Sequence, residues 1–342
     1  MKRLKPLLYI AILSVLILDC KTAANGIREG IDLCLLSVIP ALFPFLVITP
    51  MANAIIPNWV IRWIRPMGKL CGIPSGGESI FIFGLLSGYP NGARMIAESW
   101  ENKHLSRRSA LRMLGFCNNA GPAFIFGVCG AILPMNAIWG LWFIHISSAI
   151  ITAILLPKSD MEQVQLQTPN KTKFTSVLES AINTMGNICA WILIFKMVIS
   201  FLNKYASHFI DQTLLEFIYG AMEITNGILS MNPQQVPGYK FIYISVFLAW
   251  GGLCVAAQTM TVTKKLGVGY YFPGKILQSA ISFTLACGLQ YIFFEAEQCF
   301  PISISLLTII ILCIIVLGVY LRRKKTVAFP KKIMYNTPTI KK

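Results

Sequence analysis

Two short strings carry the residue types most suited to holding a polar solute: SGYPNGAR, Ser87 to Arg94, and NNAGP, Asn118 to Pro122. Gly88, Pro90 and Gly92 let the backbone turn sharply around Tyr89. A helix restarting near Asn91 or Gly92 would aim free N–H groups, with their partial positive charge, at an anionic or polar group. Arg94 lies in that first turn. It either binds a carboxylate or phosphate, or it forms an i,i+4 ion pair with Glu98 or anchors the hairpin at the membrane interface. Asn118 and Asn119 offer donors and acceptors, and Gly121-Pro122 frees the carbonyls of the preceding turn. They either contact solute and a coupling ion or cap a broken helix against the facing turn. Later in the chain Gln258 and Thr259 follow a Gly251-Gly252 break and are read as further solute contacts. Glu223, Thr225 and Asn226 form a second turn. Glu223 is read as a proton-coupling carboxylate or as a helix cap, and Thr225 and Asn226 as its companions.

These strings would be surface turns in a soluble protein. Here they interrupt a chain of 342 residues that is 55% hydrophobic and 13% charged, with a mean hydropathy of +0.64. Apolar segments of about twenty residues recur from end to end, as in a polytopic membrane protein. Non-helical backbone at membrane depth is tolerated only when buried in protein or lining water. The net charge of +16 falls in connections between apolar runs and carries no aromatic-interleaved basic surface, so nucleic acid is not an expected partner. Ten cysteines form no CxxC pair. Free thiols are expected, with no metal site and no cofactor; a coupling ion, H+ or Na+, is left open. No P-loop, HExxH or GxSxG string occurs, and His104, His145 and His208 are scattered, so an enzyme is not expected.

The elements that must position the two strings follow in order. Leu7 to Leu18 is an N-terminal apolar segment behind Lys2, Arg3 and Lys5. It reads as an uncleaved span, with a signal sequence cut near Thr22-Ala23-Ala24 as the alternative. Ile31 to Ile56 is a second span. Ile80 to Leu86 is too short to cross, at roughly 10 Å of helix against a core of about 30 Å. Ile80 to Trp100 is therefore expected to be a re-entrant hairpin. Leu111 to Leu133 is a span interrupted by NNAGP, and Trp139 to Leu156 is another. The second half repeats the order: Val177 to Leu202, a hairpin over Leu214 to Met231, a broken span over Phe241 to Thr263, and Ile276 to Phe294. Asn183 and Asn187 share a face of the first of these and read as interhelical glue. Ile302 to Leu321 closes the set.

The expected fold is thus all-α, with two inverted repeats, about eight membrane crossings, two re-entrant hairpins and helices interrupted at mid-membrane. The divisions are an N-terminal span (1–27), a first repeat (28–156), a cytoplasmic linker (157–175), a second repeat (176–296), a last span (297–321) and a basic cytoplasmic tail (322–342). With both hairpins returning to their own side, the inner connections hold 22 Lys and Arg outside Arg94, and the outer ones only Arg28 and Lys204. That split places both termini in the cytoplasm of a multi-pass cell-membrane protein. It also enters the two hairpins from opposite faces, as alternating access requires.

Gly88, Tyr89, Pro90, Gly92 and Ala93 match a GYPxGA string. Phe116, Asn118, Asn119, Pro122, Phe124, Ile125, Gly127 and Gly130 match F-x-N-N-x-x-P-x-F-I-x-G-x-x-G. In these the chain resembles the YlbJ-type sporulation integral membrane proteins, whose nucleoside-recognition Gate domain carries both strings. The layout matches over about residues 28–320. Related Gate domains occur in concentrative nucleoside transporters and FeoB-type iron transporters. The resemblance implies inverted repeats with re-entrant hairpins and a solute site at the two strings. It also implies movement of dipicolinate, a small aromatic dicarboxylate, during sporulation, with a forespore membrane as one location. The expected function is a secondary transporter or facilitator of a small polar or anionic solute. Alternatives are a nucleoside transporter and a non-transporting scaffold of spore assembly. The expected partners are the solute, the lipid bilayer and, for an oligomer, further copies of the chain.

Overall fold

A chain this apolar must pair its backbone polar groups within each segment, which a helix does. The computed structural model describes residues 4–55, 58–158, 173–312 and 315, and the regular structure among them is helical without a strand. Most of the expected 157–175 linker, the end of the last span and the basic tail lie outside the described residues.

α1 (Leu4–Leu18) stops at Asp19, whose carboxylate caps α2 (Cys20–Leu33) by accepting from Thr22 N. α2 passes through a π turn at Cys34–Val38 into α3 (Ile39–Ile55). The rod therefore starts eleven residues before Ile31, the start suggested by hydropathy. The polar stretch from Lys21 to Glu29 is helical because it lies along α10 (Phe174–Ala206). Gly26 and Gly30 bring the two backbones close, over Met197 and Leu193. α4 (Asn58–Cys71) is an amphipathic helix in what hydropathy leaves as a basic connector.

α5 (Glu78–Ser87) and α6 (Asn91–Glu101) form a tight helical hairpin. At 1.5 Å per residue each arm reaches about half the thickness of a bilayer core. α7 (Arg107–Met113) and α8 (Pro122–Val128) are the pieces of a helix interrupted over 114–121, and α9 (Met135–Leu155) follows. After α10 the order recurs. α11 (Gln212–Met222) and α12 (Ile224–Leu229) form a second hairpin, α13 (Pro237–Trp250) and α14 (Gly252–Val262) meet at Gly251, and α15 (Tyr271–Phe293) is continuous. α16 covers Ile302–Leu312. Five helices among the described residues are long and apolar enough to cross a membrane: Cys20–Asn53, Met135–Leu155, Phe174–Ala206, Pro237–Val262 and Tyr271–Phe293.

The apolar core has three large parts. One joins the Cys34–Val47 region of the first rod to α10; a second packs α5–α7 against α9 and the start of α15; a third gathers α8, α9, α12, α13 and α15. One buried cation ties the ends of several elements. The Arg112 guanidinium, 1% exposed, donates to the carbonyls of Cys71 (2.8 Å), Gly72 (3.1 Å) and Pro157 (2.7 Å), and to that of Ala153. These are free carbonyls where α4 and α9 terminate. Arg112→Leu leaves them unpaired in a dry site and is expected to cost about 2–4 kcal/mol. The check is the thermal midpoint in detergent. Arg112→Lys should recover little of the loss, because an ammonium lacks the planar fork.

Candidate functional site

The first hairpin turns because Gly88, at φ +80°, takes a conformation closed to most side chains, and Pro90 then opens α6. Its arms close on a third strand of backbone. A Cβ on Gly84 of α5 or Gly92 of α6 would collide with the Cys117 carbonyl oxygen, so the hairpin clasps the 114–121 segment between its arms. Gly88 and Gly121 also meet backbone to backbone.

Within that clasp the asparagines take distinct partners. Asn118 Oδ1 accepts from Ala93 N (3.3 Å) in the first turn of α6, and Asn118 Nδ2 donates to Thr259 Oγ1 (3.0 Å) on α14. One amide thus joins the first hairpin to the broken helix of the second half. Asn119 Nδ2 donates to the Phe116 carbonyl (2.7 Å), while its Oδ1 accepts from Gln278 Nε2 (2.9 Å) and Lys275 Nζ (3.5 Å) on α15. Ala120 N donates to His145 Nε2 (3.0 Å) on α9. Both asparagines are fully buried.

At the hairpin tip, Asn91 Nδ2 donates to Ser87 Oγ (2.8 Å) and the Tyr89 ring lies on Phe124. Tyr89 OH and Asn91 Oδ1 are buried without a hydrogen-bond partner among the described residues. Arg94 turns away from the tip. It donates to Ser180 Oγ (3.0 Å) and Thr184 Oγ1 (3.2 Å) on α10, and Nε lies 3.4 Å from Glu98 Oε1. The i,i+4 pair with Glu98 is present, and the arginine also ties α6 to α10.

The second hairpin also uses glycines, here to press its own two arms together. Gly220 and Gly227 bring α11 and α12 into backbone contact, and Gly252 meets the Met222 carbonyl. Glu223 is 2% exposed and caps α12, accepting from Thr225 N (3.2 Å), Asn226 N (2.8 Å) and Asn226 Nδ2 (2.6 Å). Gln258, on α14, donates to Cys254 Sγ (3.4 Å). Tyr89 and Ile224, one from each hairpin tip, share an apolar cluster with Phe124 of α8 and Val255 of α14. Asn118, Thr259 and the first tip are therefore one site, with the second tip beside it and Arg94 at its edge.

An open cleft of about 630 Å³ lies between α2, α10 and the second hairpin. Asn25, Glu29, Asp32, Lys196 and Asn203 line it, with the Lys196–Glu29 ion pair at 3.0 Å. Asn226 also lines it, which connects the second hairpin to this opening. Nine cysteines among the described residues are free, and no cluster of three or more His, Cys, Asp or Glu there is arranged to hold a metal ion.

Three residues of the neighbourhood are not evident from the two strings: Lys275, Gln278 and His145. Hydropathy starts the last span of the second repeat at Ile276, one residue after the lysine, whereas α15 begins at Tyr271 and carries it inside. The spacing of Lys275, Gln278 and Ser282 at i, i+3 and i+7 was the available signal for a buried polar face.

The clasp gives a direct test. Gly92→Val forces a side chain into the Cys117 carbonyl and is expected to lower stability by at least about 1–3 kcal/mol, read as loss of monodisperse protein on heating in detergent. Gly186→Ala in α10, where nothing lies within 4 Å of the added carbon, should be neutral or slightly stabilising.

The chain is similar to the sporulation integral membrane protein YlbJ of Bacillus subtilis (strain 168), at 21% identity over 302 residues that cover 73% of each chain. No family model matches the chain, and no solved structure matches it. The chain is thus a membrane protein and a distant homologue of a sporulation integral membrane protein, as its two strings suggested.

Proposed function

We propose that this protein is a secondary transporter or facilitator of a small polar or anionic solute, with dipicolinate as the first solute to test. The observation that carries the reading is the convergence of two helical hairpins and two helix breaks on one buried site, whose tip holds Tyr89 OH and Asn91 Oδ1, both without a hydrogen-bond partner among the described residues. Polar atoms left without partners in an apolar interior mark a place that water or a ligand completes. In this reading the two halves are inverted repeats and the hairpins are re-entrant. About eight crossings leave both termini in the cytoplasm, and alternating access exposes the site to one side at a time. Gly88, Tyr89, Pro90, Asn91, Gly92, Asn118, Asn119, Gln258 and Thr259 line the solute site. Arg94 contributes positive charge from its edge, and Glu223, Thr225 and Asn226 order the second tip. The relative's sporulation role extends the proposal to a membrane of the sporulating cell, the forespore membrane included, and no catalysis is assigned.

A second reading, nucleoside transport, is favoured by one feature. The groups at the tip are neutral amides and a phenol, suited to base and ribose edges, while Arg94 is turned towards α10.

Proteoliposomes offered labelled dipicolinate and uridine separately decide between them. The expected result is saturable dipicolinate uptake, reduced about tenfold or more in Asn118→Ala, a loss of at least about 1.4 kcal/mol, with protein levels unchanged. Dipicolinate uptake should also fall in Arg94→Ala. Uridine uptake alone, insensitive to Arg94→Ala, supports the nucleoside reading. Absence of both fluxes from folded protein sinks the transport reading and leaves the scaffold.

A further inference from the structure

Lys275 is the molecule's most unusual charge. It sits in the second turn of α15, 0% exposed, and among the described residues Nζ donates to neutral acceptors, Gln278 Oε1 at 2.9 Å and Asn119 Oδ1 at 3.5 Å. No carboxylate pairs with it among the described residues. Among the described residues, the titratable groups that interact with it are His145 from α9 and Cys117 from the 114–121 segment. Neither supplies a negative charge at neutral pH. His145 Nε2 accepts from Ala120 N, so the imidazole is the neutral tautomer with its proton on Nδ1.

A permanently charged, unpaired ammonium inside a membrane protein is costly and is retained where it has a task. The surroundings of Lys275 suit a transient charge. α9 and α15 pack together, and His145, Ser148 and Thr152 on one and Lys275, Gln278 and Ser282 on the other are all buried at i, i+3, i+7 spacing. His145 Nδ1, Thr152 Oγ1 and Ser282 Oγ have no partner among the described residues. On α9 the buried polar positions run from Thr152, near its Leu155 end, inward to His145, which meets the Ala120 backbone. No void near Lys275 is needed for a proton, whereas a solute would require one.

Resting on the transport reading above, we propose that Lys275 is the proton-coupling group of the cycle. Its Nζ takes a proton from solution on one side, travels charged with the solute, and releases that proton to the other side. Only the N–H bond forms and breaks. The link to the solute is Asn119, whose single carbonyl oxygen receives both Lys275 and Gln278 while its neighbour Asn118 holds the hairpin. Loading Lys275 strengthens its hold on Asn119, and unloading it frees the NNAGP segment to move.

The test uses the full chain in proteoliposomes, with labelled dipicolinate and uridine as probes, under an imposed pH gradient and in equal-pH exchange. Wild type should accumulate solute several-fold when a gradient is imposed. Lys275→Met should lose that accumulation while still exchanging labelled for unlabelled solute. Lys275→Arg, which keeps its proton, should behave the same way. Gln278→Glu, which gives the ammonium a carboxylate, should make exchange insensitive to pH. Gradient-driven accumulation at the wild-type level in Lys275→Met or Lys275→Arg overturns the proposal and leaves transport standing, as does wild-type uptake that ignores the gradient. A wild type that moves neither solute overturns the transport reading, and the coupling with it.

Discussion

Backbone that stops being helical in apolar surroundings must find every partner inside the protein. The centre of this molecule is organised by that demand. The chain leaves its helical pairing after Cys117 N, and the Cys117 carbonyl is enclosed by two glycines, Gly84 and Gly92, on opposite arms of a hairpin. Any larger residue at either position would push the hairpin off the Cys117 carbonyl. The side chains of Asn118 and Asn119 then take over hydrogen bonds that a continuous helix would have made for itself, and they take them from other elements. A local break thereby becomes a long-range joint between the first hairpin, α14 and α15.

The rest of the structure fixes the ends of these short pieces. Arg112 gathers the terminal carbonyls of α4 and α9. Glu78, 0% exposed, starts α5 by accepting from Gly76 N (2.7 Å) and pairs with Arg65 of α4. Arg94 hangs α6 on the hydroxyls of α10. Each tie is charge-assisted and lies near a helix end, where short helices are weakest. At the tip of the hairpin, Tyr89 OH and Asn91 Oδ1 have no such tie among the described residues. A scaffold held at its perimeter and unsatisfied at its centre is the arrangement from which the proposed solute site follows.

Much of this was legible in the residues. Gly, Pro and Asn inside apolar runs cannot continue a helix, so both hairpins and both breaks could be read at Ser87–Arg94, Asn118–Pro122, Glu223–Gly227 and Gly251-Gly252. The tie between Arg94 and Glu98 followed from i,i+4 spacing. Three things did not follow from local sequence. The helix from Cys20 is polar enough to resemble a connection and forms because Gly26 and Gly30 lie on α10. Thr259 was recognised as polar, but its pairing with Asn118 depends on how the halves dock. Lys275 and Arg112 look like flanking charges and are drawn inside by tertiary packing. Hydropathy weighs a residue by type, and burial of a cation depends on partners far away in the chain, 156 positions for Lys275 and Asn119.

In the proposed transport cycle the buried first tip opens to water on each side of the membrane in turn. Tyr89→Cys or Asn91→Cys in a chain whose native cysteines are replaced, labelled with a membrane-impermeant thiol reagent from each face separately, tests it most directly. Alternating access predicts labelling from either face, with solute shifting the balance between them. A tip that no reagent reaches from either face, with or without solute, would contradict the account and make the convergence of hairpins and breaks a packing device alone.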